Sequence, residues 1–217
     1  MAGIADRRER ATQFLTEPEV AGLLEGARAG RHGPRDHLLL LMIYRHALRV
    51  SEAVGLRRDA LDLDRARLQV HRVKGSLSAE HPVAQDELRA ARRYLATRSD
   101  ALPWLFLTGG GQPLAPQSVS HLVAAAAARA GLPAVHPDML RRSCGHTLAS
   151  KGYSARFIQG YLGYRDPRHA AQYAQGRAAP REIPVNGSSR NTVHFAIRIA
   201  AVKSTRMVGC GARGRRG

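Results

Sequence analysis

Arg49, Lys74, Arg141 and Tyr173 are four residues whose types together suit one reaction, the attack of a phenol on a phosphodiester. Arg49 sits in HALRVSE after a long apolar run, Lys74 in QVHRVKGSLS, Arg141 in HPDMLRRSCGHTLA and Tyr173 in LGYRDPRHAAQYA. A phenol with an ordinary pKa of about 10 must shed its proton as it attacks. The five-coordinate state concentrates charge on the non-bridging oxygens. Two guanidiniums placed on those oxygens stabilise it more than the ground state. The departing 5′ oxygen needs a proton, which an ammonium on a hairpin tip can supply. A covalent phosphotyrosine stores the energy of the broken bond, so this chemistry asks for no metal and no other cofactor. Singly, each residue has a plainer use. Arg49 can pair with Glu52 or cap a carbonyl, Lys74 can be a solvated turn charge, Arg141 can belong to a basic helix face, and Tyr173 can be core.

The composition points to the same partner. The chain has 217 residues, room for one good core, and a formal net charge of +17 dominated by arginine. The planar guanidinium fork matches phosphate oxygens two at a time, so the expected partner is a polyanion, double-stranded DNA, bound with steep salt dependence. An RNA-binding sheet is disfavoured because aromatic residues make up only 5% of the chain. Cys144 and Cys210 lie far apart and form neither a disulfide framework nor a metal-ligand spacing. MAGIADRRERATQ has no apolar signal region, and the run LLLLMI at 38–43 is too short to span a bilayer. The expectation is a cytoplasmic protein with no membrane association.

Local signals set the elements that must carry these residues. Thr16 and Glu19 form a capping box that opens a helix through about Ala29. RHGPRD reads as a breaker, followed by a helix from Asp36 to about His46, and Ser51 is expected to cap SEAVGLR. LDLDRARLQVHRV alternates as a strand does, KGS turns, and HPVA returns. Further helices are predicted at 86–98, 116–130, 137–151, 154–162 and 167–175, with PWLFLT as an extended link and Gly109–Gly111 as a loop. The fold class is α+β, mainly α, with a small antiparallel sheet. Residues 1–10 read as a basic arm, 11–178 as the catalytic domain, and 179–217 as a basic, disordered tail rich in helix breakers.

With those motifs in place, the chain resembles the tyrosine recombinases, the phage-integrase-type enzymes, and within them the short fimbrial phase-variation DNA invertases. ALRVSEAVGLRRDALDLD, HRVKGSLSAEHPV, PWLFLTGGGQPL, HPDMLRRSCGHTLASKG and FIQGYLGYRDPRHAAQYA carry the resemblance across roughly residues 12–178. The resemblance implies a mostly α catalytic domain with Arg49 and Arg141 on the phosphate, Lys74 as general acid and Tyr173 as nucleophile. It implies a homo-oligomer on DNA without the separate N-terminal clamp of larger members. Such a protein leans on protomer contacts or accessory DNA-bending proteins.

Three departures from the pattern stand out. The family places His or Lys three residues before the second arginine, where this chain has Asp138. On a helix that position shares a face with Arg141, and a carboxylate there is either a proton acceptor held ionised by Arg141 or a simple helix N-terminal charge. His136 is expected off that face. The family has His or Trp at position 164, where Tyr164 offers one hydroxyl or a packed ring. His169 shares a face with Tyr173 and either assists its deprotonation or merely packs. The breaker-rich tail argues against a helix exchanged between protomers. Two other readings are a DNA-binding module whose chemistry is crippled at Asp138 and Tyr164, and a helix-turn-helix regulator built on 137–151 and 154–162.

Overall fold

A computed structural model of the chain describes residues 14–73 and 77–173. The proposed arm, the proposed tail, Cys210 and Lys74 lie outside the described residues.

The Thr16 capping box forms as predicted: the Glu19 amide donates to the Thr16 hydroxyl, and the Thr16 amide donates to the Glu19 carboxylate at 2.7 Å. Helix α1 runs over Glu17–Arg28. The central helix α2 spans Gly33–Arg45, starting earlier than expected. Pro34 occupies its first turn, where a missing N–H breaks no helical bond, so the GP pair opens the helix instead of preceding it. Residues Leu38 to Arg45 are buried all round, and α2 packs against α1, α4 and α6.

His46 ends α2, Ala47 turns the chain in the left-handed region (φ 49°), and α3 follows over Val50–Val54. Arg49, not Ser51, stands at the N-cap of α3. Its amide donates to the Glu52 carboxylate at 2.8 Å, and that satisfies the helix start.

The alternating stretch after a short 3-10 turn (Arg58–Ala60) is two strands where one was read. β1 (Leu61–Asp62) pairs antiparallel with β2 (Arg67–Val70), and β2 with β3 (Ala79–Pro82). The break falls at Asp62, whose side chain accepts the amides of Asp64 and Arg65, and Ala66 turns left-handed at φ 56°. Leu68 and Val70 face the core, and Leu68 sits opposite the buried His81.

The remaining helices are α4 (Gln85–Leu95), α5 (Pro116–Arg129), α6 (Pro137–Ser150), α7 (Ala155–Leu162) and α8 (Arg168–Ala171). Between α4 and α5 the link buries Leu105 and Phe106 completely and bridges back through Arg57↔Trp104. α8 is shorter than the predicted 167–175, so Tyr173 lies in the turn after it. The fold is mainly helical with one small antiparallel sheet, the expected class.

Helices α1 and α5 approach closely at Gly26, where a β-carbon would press into the Ala126 carbonyl. Because backbone cannot rotate away, Gly26→Ala is expected to lower stability by about 1–3 kcal/mol in urea denaturation. An unchanged midpoint would show that the two helices part freely.

Candidate active site

The left-handed turn at Ala47 presents its carbonyl to two guanidiniums from distant parts of the chain. Arg72, at the end of β2, donates Nη1 to it at 2.8 Å. Arg141, on the second turn of α6, also donates Nη1 to it, and Nη2 to the Leu162 carbonyl at 2.7 Å. Arg141 is thereby buried, its guanidinium 5.1 Å from the centroid of the Tyr164 ring. Arg49 is about one-third exposed and donates Nη1 to Glu52 at 2.8 Å. Glu52 is itself buried and accepts Arg72 on its other oxygen at 2.8 Å. Burial would raise the Glu52 pKa, but the Arg49 amide and the Arg72 charge outweigh it and hold the carboxyl below its usual range. Burial bears more heavily on Arg72, whose pKa is lowered despite Glu52, and Arg141 and Arg49 push the same way. A guanidinium stays protonated nonetheless.

Arg49, Asp138, Arg141 and Tyr164 line one open groove of about 610 Å³, so the structure brings four of the expected site residues together. Arg142 and His136 line it as well. His136 was expected to point elsewhere. Instead it caps α6, its Nδ1 accepting the Asp138 amide at 3.3 Å, and that bond turns the ring into the groove. The Asp138 carboxylate is exposed, and this imidazole lies 3.8 Å from it. Among the described residues Asp138 forms no ion pair with Arg141, whose donors go to backbone carbonyls. Arg142 was legible as the second half of a tandem arginine on a helix start. Nothing in the sequence signalled the His136 orientation, because capping geometry decides it.

Tyr173 does not line the groove. It is 4% exposed, and its hydroxyl has no hydrogen-bond partner among the described residues. The ring lies on Gly145, where a β-carbon would stand 2.6 Å from Cε1 and Cζ, and edge-on to His146 at 5.2 Å between centroids. Burial first, and the neighbouring Tyr164 hydroxyl second, push the Tyr173 pKa well up, while Arg141 pulls the other way. Burial of this kind favours the neutral phenol. His169 packs near Tyr164, 5.5 Å between centroids, and the imidazole against Tyr173 is that of His146. Burial lowers the His146 pKa, and its other face stacks on Phe14.

Behind the site a second polar cluster ties α2 to α4 and the sheet. Arg45 binds Asp86 through two bonds of 2.7 and 2.6 Å, and His46 binds Glu87 at 2.7 Å. The His46 and His81 Nδ1 atoms meet at 3.3 Å, and His81 stacks on Tyr161. Burial holds His81 well below the usual imidazole pKa. Cys144 is buried, its thiol pushed up to about 12 by burial, and reads as core. Among the described residues no His, Cys, Asp or Glu cluster could hold a metal ion, and no helix is long and apolar enough to cross a membrane.

Residues 13–179 match the model of the phage integrase family, and the chain belongs to that family, the tyrosine recombinases. It is 37% identical over 183 residues to the type 1 fimbriae regulatory protein FimB of Escherichia coli K12, covering 82% of this chain and 90% of FimB. It is 35% identical over 173 residues to FimE of the same strain, covering 77% and 87%. Among solved structures the fold is similar to XerA recombinase (TM-score 0.67, 22% identity, 75% of this chain and 60% of that one). It is also similar to XerH recombinase bound to its difH substrate in a pre-cleavage complex (TM-score 0.66, 20% identity, 74% and 50%). The chain thus spans about half to three-fifths of those solved chains.

Proposed function

We propose that this protein is a site-specific DNA recombinase of the integrase/invertase type that cuts and rejoins strands of double-stranded DNA through a covalent 3′-phosphotyrosine at Tyr173. The observation that carries the reading is the meeting of Arg49 and Arg141 in one cationic groove, with Tyr173 buried against Gly145 and His146 of the helix that carries Arg141. In this reading the two guanidiniums hold the non-bridging oxygens of the scissile phosphate. The Tyr173 oxygen bonds to phosphorus, the bond to the 5′ oxygen breaks, and the Lys74 ammonium donates the proton that oxygen takes up. The phenolic proton leaves to water or to the Asp138 carboxylate, which lies in the same groove. Tyr173 must first leave its pocket, since a buried, neutral phenol outside the groove cannot attack. The similarity of fold to the XerH site-specific recombinase bound to its difH substrate supports a site-specific recombinase with DNA as the partner. In this reading the protein works as a homo-oligomer on DNA in the cytoplasm, held there by protomer contacts or by accessory DNA-bending proteins.

A second reading, DNA binding without catalysis, is favoured by two observations: Tyr173 is buried and does not line the groove, and Asp138 and Tyr164 stand at positions where the resemblance leads one to expect other residues. Capture from a library of nicked duplexes separates the two. A recombinase yields a protein–DNA adduct resistant to denaturation, abolished by Tyr173→Phe, and increased by Asp138→His with Tyr164→His. A pure binder yields a gel shift that weakens with salt and no adduct.

A further inference from the structure

Arg72 touches no groove surface, yet it is the most thoroughly bonded cation of the site. Its side chain is 0% exposed. Nη1 donates to the Ala47 carbonyl and to Glu52 Oε2, both at 2.8 Å, and Nη2 to the carbonyls of His46 and Tyr161, both at 2.9 Å. Among the described residues only its Nε lacks a partner. Burying a guanidinium carries a desolvation penalty that an apolar side chain of like volume would avoid, so packing alone does not account for arginine here.

Its acceptors explain the choice. The Ala47 carbonyl also takes Nη1 of Arg141, and the Glu52 carboxylate also takes Nη1 of Arg49. Arg72 is therefore one bonded atom removed from each of the two arginines that face the groove, on a different acceptor for each. We propose that Arg72 is a positioning residue: by fixing the Ala47 carbonyl and the Glu52 carboxylate together, it sets the spacing of the Arg49 and Arg141 guanidiniums to the two non-bridging oxygens of a single phosphate.

Bonds to Tyr161 and His46 bring the end of α7 and the end of α2 into the same frame, so the acceptors cannot drift independently. Gly163, in the left-handed region at φ 72°, lets Arg72 pass beside the end of α7, since a β-carbon there would meet Arg72 Cγ and Nε at 3.2 Å. Glu52 offsets one of the three positive charges, so Arg49 and Arg141 keep a net attraction for an anion. This role rests on the recombinase reading of the groove.

The test uses the full chain with Arg72→Met, which keeps length and loses every donor, and Arg72→Lys, which keeps the charge. Nicked duplexes carry either the normal phosphate or a methylphosphonate at the scissile link. With one non-bridging oxygen replaced by a neutral methyl, only one oxygen is left to accept a guanidinium, so the spacing of the two guanidiniums matters less. Arg72→Met is expected to retain DNA binding while adduct formation falls about 100-fold or more on the phosphate, the scale of losing an aligned donor. Most of that loss should be recovered on the methylphosphonate, and Arg72→Lys should fall between. If Arg72→Met does not fold, Arg72→Lys carries the same comparison. A rate within about threefold of the parent would overturn the proposal, as would equal losses on both substrates.

Should the parent form no adduct at all, the recombinase reading fails separately. The positioning role is then read from the Arg49 and Arg141 Nε–H resonances. Both should shift and broaden in either Arg72 variant, and unchanged resonances would overturn it.

Discussion

Glu52→Ala is expected to lower folding stability by about 3–5 kcal/mol, the scale for stripping one partner from a buried ion pair. Glu52 is 5% exposed and is the only carboxylate bonded to Arg72 among the described residues. Without it, Arg72 keeps its carbonyl bonds but loses its counter-charge in a region closed to water. Arg49 loses the bond of its side chain to Glu52 and the acceptor for its amide, so α3 loses its start. Glu52→Gln should fall between, because an amide oxygen still accepts one donor while its NH₂ opposes the other. The sign with pH follows from the lowered Glu52 pKa. The folded protein holds this carboxyl ionised below its ordinary value of 4.5, so its contribution is complete above that value. It is lost as pH falls through the lower folded pKa, and Glu52→Ala should lack that part of the acid transition. Urea denaturation across pH measures both effects. A loss below about 1 kcal/mol would mean that water reaches Arg72, against its complete burial.

Gly145→Ala is expected to expel Tyr173 from its pocket. The added methyl would stand 2.6 Å from Cε1 and Cζ of the ring, well inside van der Waals contact. Gly145 lies within α6, where alanine is the better helix former by about 0.5–1 kcal/mol, so the helix has no reason to yield. The ring must move, and its exposed phenol should then titrate toward an ordinary value of about 10. Ultraviolet titration, with Tyr173→Phe identifying the transition, reads this directly. Covalent adduct formation should rise, because docking in the pocket holds the nucleophile neutral and outside the groove. Thermal stability is a poor readout, since lost burial and improved helix propensity oppose each other. An unshifted titration with an unchanged adduct rate would show that the pocket places no restraint on Tyr173.

Much of the fold was legible because its signals are local. The Thr16–Glu19 box, the apolar run of α2 and the Pro starts of α5 and α6 act within a few residues, and the helices fall close to where they were expected. Errors arose where one residue overrode a pattern. Asp62 accepted two amides and split a strand, and Pro34 joined the helix it seemed to break. Arg49, Asp138, Arg141 and Tyr164 were readable as site candidates because each sits in a short motif that survives without coordinates.

By itself, then, the sequence determined which chemical groups this protein carries and the order in which helices and strands present them. Tertiary structure alone decided which groups meet. One carbonyl, that of Ala47, gathers guanidiniums 25 and 94 residues away, and no local pattern encodes such a convergence. The same holds for the burial of Arg72, the turn of His136 into the groove and the docking of Tyr173 on Gly145. Each depends on desolvation and shared acceptors, which exist only after distant segments have packed.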